Sequence, residues 1–244
     1  MIDSETRDSS RASARPAVCK ISPSIMCADF VNLRSQLDAL KEMGVEYVHI
    51  DIMDGHYVPN FTLGPDFCRA VARYAGIPLD IHLMIEDPDA YAPVFAEAAR
   101  DTPDSVICFH PETSRHPLRT ASFIRSLGVR CGVAVDPAMP PESVRYILPD
   151  VDLVCIMTVN PGYAGQKLVP QALDKIREIA DHVQSRGLAI EIEVDGNVSW
   201  ENIPRMAAAG ANVFVAGTSS VFEKGADLRQ TIKRFRALLE PTAA

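Results

Sequence analysis

Short apolar runs alternate with longer segments of helical spacing along this chain, and no other feature constrains its fold as strongly. Eight such runs follow one another from Lys20 onward. They are residues 21–26, 47–53, 79–84, 105–109, 132–135, 153–158, 190–194 and 213–216. Helical spacing marks segments between or after them, including 32–43, 89–99, 118–127, 171–186, 200–209 and 228–239. Eight alternating βα units predict an α/β fold, a single (β/α)₈ TIM barrel with eight parallel strands.

The main structural alternative to a barrel is an open, doubly wound sheet. Sheets of that kind that bind dinucleotides carry a G-x-G-x-x-G turn after the first strand, and this chain has none there. No linker divides the sequence, so we expect one catalytic barrel domain over residues 18–244. Residues 1–17 are polar and lack the apolar core of a secretory signal, which predicts a disordered tail.

The composition excludes several classes of partner. The net charge of -8 argues against a nucleic-acid surface, which normally shows a basic stripe. No apolar run reaches the roughly 18 residues that a membrane span needs. The six cysteines are scattered without a C-x-x-C pair, which favours reduced thiols in a cytoplasmic protein. A phosphorylated small molecule remains compatible with an acidic chain, because backbone N–H groups bind phosphate without lysine.

Three of the runs place polar side chains on one face. Because side chains alternate along a strand, every second residue shares a face. The apolar face must meet the surrounding helices, so the polar face is expected to point into the barrel mouth. The inward residues are His49, Asp51 and Met53 of the second run, Asp80, His82 and Met84 of the third, and Glu191, Glu193 and Asp195 of the seventh.

Two histidines and two carboxylates of this set predict a metal site, because a divalent cation neutralises buried charge that is otherwise costly. The predicted ligands are His49, Asp51, His82 and Asp195. Mixed imidazole and carboxylate ligation leaves the identity of the single divalent ion open among Zn, Fe, Mn, Co and Mg. Asp80 and Glu193 fall one step deeper, where they either orient the histidines or form a hydrogen-bonded polar layer.

Glycine-containing turns follow the last three strands and predict a phosphate site. Glycines let the backbone approach an anion closely, and successive N–H groups form a concave nest. Loops after strands seven and eight are the usual phosphate position in this fold. The turns are residues 160–166, 195–197 and 216–219.

In combination these motifs resemble the ribulose-phosphate 3-epimerase family. The matching stretches are SPSIM at residues 22–26, HIDIMDGHYVPN at 49–60, DIHLM at 80–84, MTVNPGYAGQ at 157–166, EVDG at 193–196 and VAGTS at 215–219. The resemblance extends from about residue 21 to about residue 222, and the fold of that family agrees with the predicted barrel.

The resemblance implies a role for each site residue. His49, Asp51, His82 and Asp195 hold the metal, and Asp51 and Asp195 are also the catalytic acid/base pair that inverts C3 of a ketose phosphate through an enediolate. The remaining residues contact the sugar (Ser24), wall the site (Met53, Met84 and Met157) or bind phosphate (Gly162, Tyr163, Ala164, Gly165, Gly196, Asn197, Gly217, Thr218 and Ser219). Homo-oligomers are common in the family, so we expect one here.

Some positions depart from the usual family pattern. Met26-Cys27, residues 110–113, Asn197 and Gly217-Thr218-Ser219 resemble the D-allulose-6-phosphate 3-epimerase branch. Asn197 stands where a second glycine is usual, and Tyr163-Ala164 replaces Phe-Gly. These residues border the predicted phosphate site, so they bear on substrate length. Two substrate pairs stay open, D-ribulose 5-phosphate/D-xylulose 5-phosphate and D-allulose 6-phosphate/D-fructose 6-phosphate, with a slight preference for the second.

Two other functions were weighed against an epimerase. Sugar-phosphate decarboxylases and isomerases built on related barrels typically use a lysine at a strand end, but no lysine occurs between Lys41 and Lys167. A non-catalytic sugar-phosphate-binding protein does not need both Asp51 and Asp195. Outside the predicted site, Asp54 faces away from Asp51 and is expected to cap a loop. For His110, lining the mouth is the less favoured of two interpretations.

Overall fold

The computed structural model describes residues 19–239, and the predicted disordered tail at residues 1–17 lies outside them. Eight parallel strands form one sheet in the order β1-β8-β7-β6-β5-β4-β3-β2. The strands are β1 (Lys20–Pro23), β2 (Val48–Met53), β3 (Leu79–Met84), β4 (Val106–Phe109), β5 (Arg130–Val135), β6 (Leu153–Met157), β7 (Glu191–Asp195) and β8 (Val213–Ala216). The predicted (β/α)₈ barrel is therefore confirmed.

The barrel closes between β1 and β2. A parallel bridge joins Ser24, just beyond β1, to His49 on β2. The N–H of Tyr47 also donates to the carbonyl oxygen of Ile21 at 3.4 Å. This closure brings the carboxyl ends of all eight strands to one mouth, where barrels of this kind carry their chemistry.

Within residues 19–239, seven α-helices surround the strands. They are α1 (Leu33–Glu42), α2 (Pro65–Ala75), α3 (Pro88–Ala98), α4 (Pro117–Ser126), α5 (Ala172–Ser185), α6 (Asn202–Ala209) and α7 (Leu228–Leu239). Three of them begin with proline, whose fixed φ suits the first helical turn and whose missing N–H is not needed there. No helix among residues 19–239 is long and apolar enough to cross a membrane.

The connection between β5 and β6 contains no α-helix. Two short 3-10 helices, Pro141–Val144 and Leu148–Asp150, take its place. Four prolines lie in this segment, at positions 137, 140, 141 and 149, and proline disrupts the hydrogen-bond ladder of a helix interior. The first strand is also shorter than its apolar run, because the chain turns into a 3-10 helix at Ile25–Cys27.

In the middle of the barrel, the fully buried polar residues of the strands lie on one side. The inward face of β4, β5 and β6 is apolar and packs as a small cluster that includes Cys108, Ala134 and Cys155. The opposite side, formed by β1, β2, β3 and β7, carries the fully buried residues Ser22, His49, Asp80, His82 and Glu193. The fold therefore concentrates the ionisable groups under one part of the mouth.

Candidate active site and metal centre

An open cleft lies over the carboxyl ends of the strands, with an empty volume of about 590 Å³ that includes space open to solvent. The structure brings almost every predicted site residue to its lining. These residues are Ser24, Asp51, Met53, Met84, Met157, Gly162, Tyr163, Ala164, Gly165, Asp195, Gly196, Asn197, Gly217, Thr218 and Ser219. The two exceptions, His49 and His82, are fully buried in the floor of the cleft.

The four predicted metal ligands converge in the floor. His49 Nε2 lies 3.1 Å from Asp51 Oδ1 and 3.9 Å from Asp195 Oδ2. His82 Nδ1 lies 3.4 Å from the same oxygen of Asp195 and 3.6 Å from that of Asp51. All four ligand atoms lie within 4.8 Å of one another. Atoms that each bind a shared ion at about 2.1 Å are themselves about 3 to 4 Å apart, so the set fits one divalent cation.

An orphaned nitrogen supports this fit. His82 Nδ1 is buried and makes no hydrogen bond within the described chain, although it points toward two carboxylates. A buried polar atom without a partner is costly unless an ion or water satisfies it. Ser24 Oγ donates to Asp51 Oδ2 at 2.9 Å, which leaves Asp51 Oδ1 directed at the histidines.

The electrostatics of the floor favour positive charge. Burial alone would lower the pKa of His49, but the nearby carboxylates of Asp80 and Asp51 raise that pKa well above its ordinary value. Burial alone would raise the pKa of Asp51, but the charge and hydrogen bond of His49 hold it well below its ordinary value. Asp51 is therefore ionised, and the space between the ligands attracts a proton or a cation.

A second polar layer lies one step deeper. Asp80 Oδ2 contacts His49 Nδ1 at 2.6 Å and accepts a hydrogen bond from Ser22 Oγ at 2.9 Å. Asp80 therefore orients His49 with Nε2 toward the cleft, as one of the two sequence interpretations requires. Burial and the adjacent charge of Asp80 raise the pKa of Glu193 well above its ordinary value, which favours the neutral acid in this layer.

The turns after β6 and β7 meet at one end of the cleft. Gly196 has φ 109°, and a Cβ at this position would lie 2.4 Å from Val159 Cγ2, so only glycine fits. Asn197 follows with φ 45°, and its side-chain amide donates to the carbonyl oxygen of Gln166 at 2.7 Å. The backbone N–H groups of Asn197 and Ser219 donate to no backbone carbonyl within residues 19–239. They are available to an anion bound at this end.

A histidine contact behind the predicted metal ligands was not expected from the sequence. His110 is fully buried, and its Nε2 lies 2.9 Å from His82 Nε2. Its other ring nitrogen, Nδ1, contacts the hydroxyl of Tyr57 at 2.8 Å. Strand alternation contained a signal, because His110 lies two residues beyond Cys108, which is paired with His82 in the sheet. His110 thus extends the inward face of β4 by one position.

Two further sequence predictions concern residues around the cleft. Asp54 does cap a loop, because its carboxylate accepts hydrogen bonds from the backbone N–H groups of His56, Tyr57 and Glu86. No lysine of the described chain lines the cleft. The amine on which related decarboxylases and isomerases depend is therefore missing from the described lining.

Comparisons with known proteins agree with this geometry. The model of the ribulose-phosphate 3 epimerase family matches residues 20–222. Ribulose-phosphate 3-epimerase 1 of Cupriavidus necator is 44% identical over 207 residues, covering 83% of this chain and 84% of the relative. The ribulose-phosphate 3-epimerase of Bacillus subtilis is 41% identical, covering 89% of this chain and 98% of the relative. That of Escherichia coli K12 is also 41% identical, covering 90% of this chain and 95% of the relative.

Solved structures of low identity share the fold. Orotidine 5'-phosphate decarboxylase from Pyrococcus horikoshii aligns with a TM-score of 0.63 at 12% identity, covering 90% of this chain and 98% of its own. A mutant tryptophan synthase α-subunit from Pyrococcus furiosus aligns with a TM-score of 0.64 at 17% identity, covering 92% and 98%. These likenesses show the barrel alone. The family match and the curated relatives go further, and they show that the chain belongs to the ribulose-phosphate 3-epimerase family of isomerases.

Proposed function

We propose that the protein is a metal-dependent ketose-phosphate 3-epimerase in which Asp51 and Asp195 transfer the protons. One observation carries the proposal. Two carboxylates approach a common point from β2 and from β7, with a ligand oxygen of each among atoms that lie within 4.8 Å of one another. Inversion of a carbon next to a carbonyl needs one group that removes the proton and another that returns a proton to the opposite face, and general acid–base catalysis by such groups contributes about 10²–10⁴-fold.

The residues around the two aspartates define their roles. Asp51 is ionised, so it can accept the C3 proton of one epimer, while Asp195 returns a proton from the other side and serves as the base in the reverse direction. Ser24 donates to Asp51 and fixes the orientation of its carboxylate. Met53, Met84 and Met157 line the cleft beside the aspartates, and such apolar walls limit the access of water to a planar enediolate.

His49, Asp51, His82 and Asp195 are the proposed ligands of one divalent ion. Such an ion, when bound, would act as a Lewis acid and stabilise the negative charge that develops on the ketose oxygens as the C3 proton leaves. Imidazole and carboxylate ligands suit Zn, Fe, Mn, Co and Mg, so the chain does not select the ion by ligand type alone. Asp80 holds His49 in the ring orientation that the site needs.

The phosphate of the substrate is proposed to bind between Gly162–Gly165, Gly196–Asn197 and Gly217–Ser219, at the end of the cleft opposite β3. The curated relatives are named as ribulose-phosphate 3-epimerases, which supports D-ribulose 5-phosphate as the substrate to test first. The sequence preference for a six-carbon ketose phosphate rests on Met26-Cys27, residues 110–113, Asn197 and Gly217-Thr218-Ser219, and it stays a prediction. All six cysteines are free thiols, which supports the proposed cytoplasmic location, and the expected homo-oligomer also stays a prediction.

The deciding experiment is a C3-epimerisation assay with D-ribulose 5-phosphate and D-allulose 6-phosphate in parallel, with and without a chelator. We expect turnover of at least one substrate, loss of turnover in chelator, and recovery after addition of a divalent ion. In D₂O, the product should acquire deuterium at C3. A metal-loaded protein that binds both ketose phosphates without exchanging the C3 proton would instead be a sugar-phosphate-binding protein, and the proposal would be wrong.

A further inference from the structure

We propose that His110, Tyr57 and Glu112 form a hydrogen-bonded relay that fixes the tautomer and ring orientation of His82, so that His82 Nδ1 presents a lone pair to the metal. These three residues constitute the relay. They are positioning residues, because they act through His82 and do not line the cleft. The inference rests on the metal site of the proposed function, and its test separates failure of the relay from failure of that site.

Contacts within the relay run continuously from the metal site to the surface. His82 Nε2 lies 2.9 Å from His110 Nε2, and the two ring planes are inclined by only 20° with their centroids 5.1 Å apart, so the rings meet edge to edge. His110 Nδ1 lies 2.8 Å from the Tyr57 hydroxyl and 3.3 Å from Glu112 Oε1. The Tyr57 hydroxyl in turn donates to Glu112 Oε1 at 2.8 Å. Both histidines are fully buried, whereas the Glu112 side chain is 31% exposed.

These contacts leave one self-consistent placement of the protons. Two ring nitrogens at hydrogen-bond distance need one proton between them, so one donates and the other accepts. His82 Nδ1 faces the carboxylates of Asp51 and Asp195, and a ligating nitrogen must be unprotonated. A neutral His82 therefore carries its proton on Nε2 and donates it to His110 Nε2.

Donation by His82 determines the proton positions in the rest of the relay. Because His110 Nε2 accepts, a neutral His110 carries its proton on Nδ1, where the Tyr57 hydroxyl and Glu112 Oε1 are both acceptors. Tyr57 keeps its own proton for Glu112. Every donor has an acceptor, and the relay ends on a carboxylate. Partners of this kind orient a ligating histidine, and their loss typically weakens metal binding by about 10–100-fold.

The arrangement also explains a difference between the two histidine ligands. His49 receives direct support from a carboxylate, because its Nδ1 contacts Asp80. His82 lacks a carboxylate in that position and is supported through a second imidazole instead. Asp80 thus supports His49 directly, whereas Glu112 supports His82 through His110.

Proton positions are tested by ¹⁵N NMR of histidine ring nitrogens in the Zn²⁺-loaded protein. We expect His110 to be protonated on Nδ1 alone and His82 to be protonated on Nε2 alone. The exposed His56, whose ring is hydrogen-bonded to the carbonyl oxygen of Asp54, serves as the reference histidine. A proton on His110 Nε2, or on both of its nitrogens, would overturn the inference.

Metal affinity is tested with a matched pair of variants by competition with a chromophoric chelator for Zn²⁺. His110→Leu removes the acceptor and should raise the dissociation constant about 10–100-fold. His110→Gln keeps an amide oxygen near His82 Nε2 and should recover most of the affinity. His56→Gln is the control and should bind as the unmodified protein does. Equal affinity of His110→Leu and the unmodified protein would refute the relay.

A second pair of variants covers the case in which His110→Leu does not fold. Tyr57→Phe and Glu112→Gln weaken the outer end of the relay while leaving His110 in place, and each should shift the visible spectrum of Co²⁺ bound at the site. An unchanged spectrum in both would count against the relay. If the unmodified protein binds neither Zn²⁺ nor Co²⁺, the proposed metal site itself fails, and with it the inference.

Discussion

His82 Nδ1 lies 3.4 Å from Asp195 Oδ2, although β3 and β7 are separated in the sheet by β4, β5 and β6. The contact crosses the interior of the barrel, so it forms only when the sheet has closed. The proposed metal site is therefore complete only in the closed barrel. The buried carboxylates of Asp51 and Asp195 repel each other when no cation lies between them. A bound ion is therefore expected to stabilise the folded state.

Removal of either central carboxylate should abolish epimerisation. Asp51→Asn and Asp195→Asn each delete a proton-transferring group and a charged ligand, so kcat should fall by at least about 10²–10⁴-fold. The matched control is Asp181→Asn, which removes the same charge from an exposed position on α5. Steady-state kinetics with D-ribulose 5-phosphate provide the measurement. Retention of most of the activity by either site variant would contradict the two-aspartate mechanism.

Removal of the metal should lower thermal stability as well as activity. A ligand that binds only the folded state at 100 times its dissociation constant stabilises it by about 2.7 kcal/mol. We therefore expect Tm to fall in chelator and to rise again with added Mn²⁺, Co²⁺ or Zn²⁺. Differential scanning fluorimetry of the unmodified protein and of Asp195→Asn provides the comparison. A Tm in the unmodified protein that does not respond to either treatment would argue against an ion in the floor of the cleft.

The sequence predicted the floor of the site because strand alternation is strict. Once β2 is a strand, the side chains of His49 and Asp51 must share a face. The apolar residues Val48 and Ile50 alternate with them and form the opposite face, which packs against the helices. The face with His49 and Asp51 therefore points into the barrel. The same rule applies to β3 and β7. These residues could therefore be assigned to one centre without knowledge of any distance.

The contact of His110 with His82 was harder to predict. His110 follows the last residue of β4, where strand alternation no longer guarantees a direction, and its contact depends on how the chain enters the next turn. The missing α-helix between β5 and β6 has a clearer physical origin. A cluster of four prolines in that segment opposes a regular helix, and the eightfold alternation alone does not reveal it.

Gly196 should be intolerant of a side chain. An alanine there adopts an unfavourable φ of 109° and places its Cβ 2.4 Å from Val159 Cγ2 and 2.9 Å from the Val159 nitrogen. The control is Gly187→Ala, where φ is 62° and no atom lies within 4 Å of the added Cβ. We expect the control to lose about 1–2 kcal/mol from the left-handed conformation alone and Gly196→Ala to lose more. Urea unfolding measures both, and equal losses would show that the turn can relax.

Asn197 should tighten phosphate binding by joining the two turns that flank the proposed phosphate site. Its side-chain amide donates to the carbonyl oxygen of Gln166, and its side-chain oxygen accepts from the amide of Asn202 at 2.7 Å. Asn197→Gly keeps the backbone at φ 45° free of strain but removes both contacts. We expect KM for the ketose phosphate to rise severalfold with little change in kcat, because the aspartates stay in place.

The control for Asn197→Gly is Asp104→Gly, which makes the same kind of change at an exposed residue with φ 69°. At a positive φ, replacement by glycine relieves backbone strain but adds conformational freedom to the unfolded chain. Both effects act in either variant, so any additional loss of stability at position 197 reports the hydrogen bonds. If Asn197 also determines substrate length, the variant should change the ratio of kcat/KM between D-ribulose 5-phosphate and D-allulose 6-phosphate. An unchanged KM for both substrates, with unchanged inhibition by inorganic phosphate, would remove Asn197 from the phosphate site.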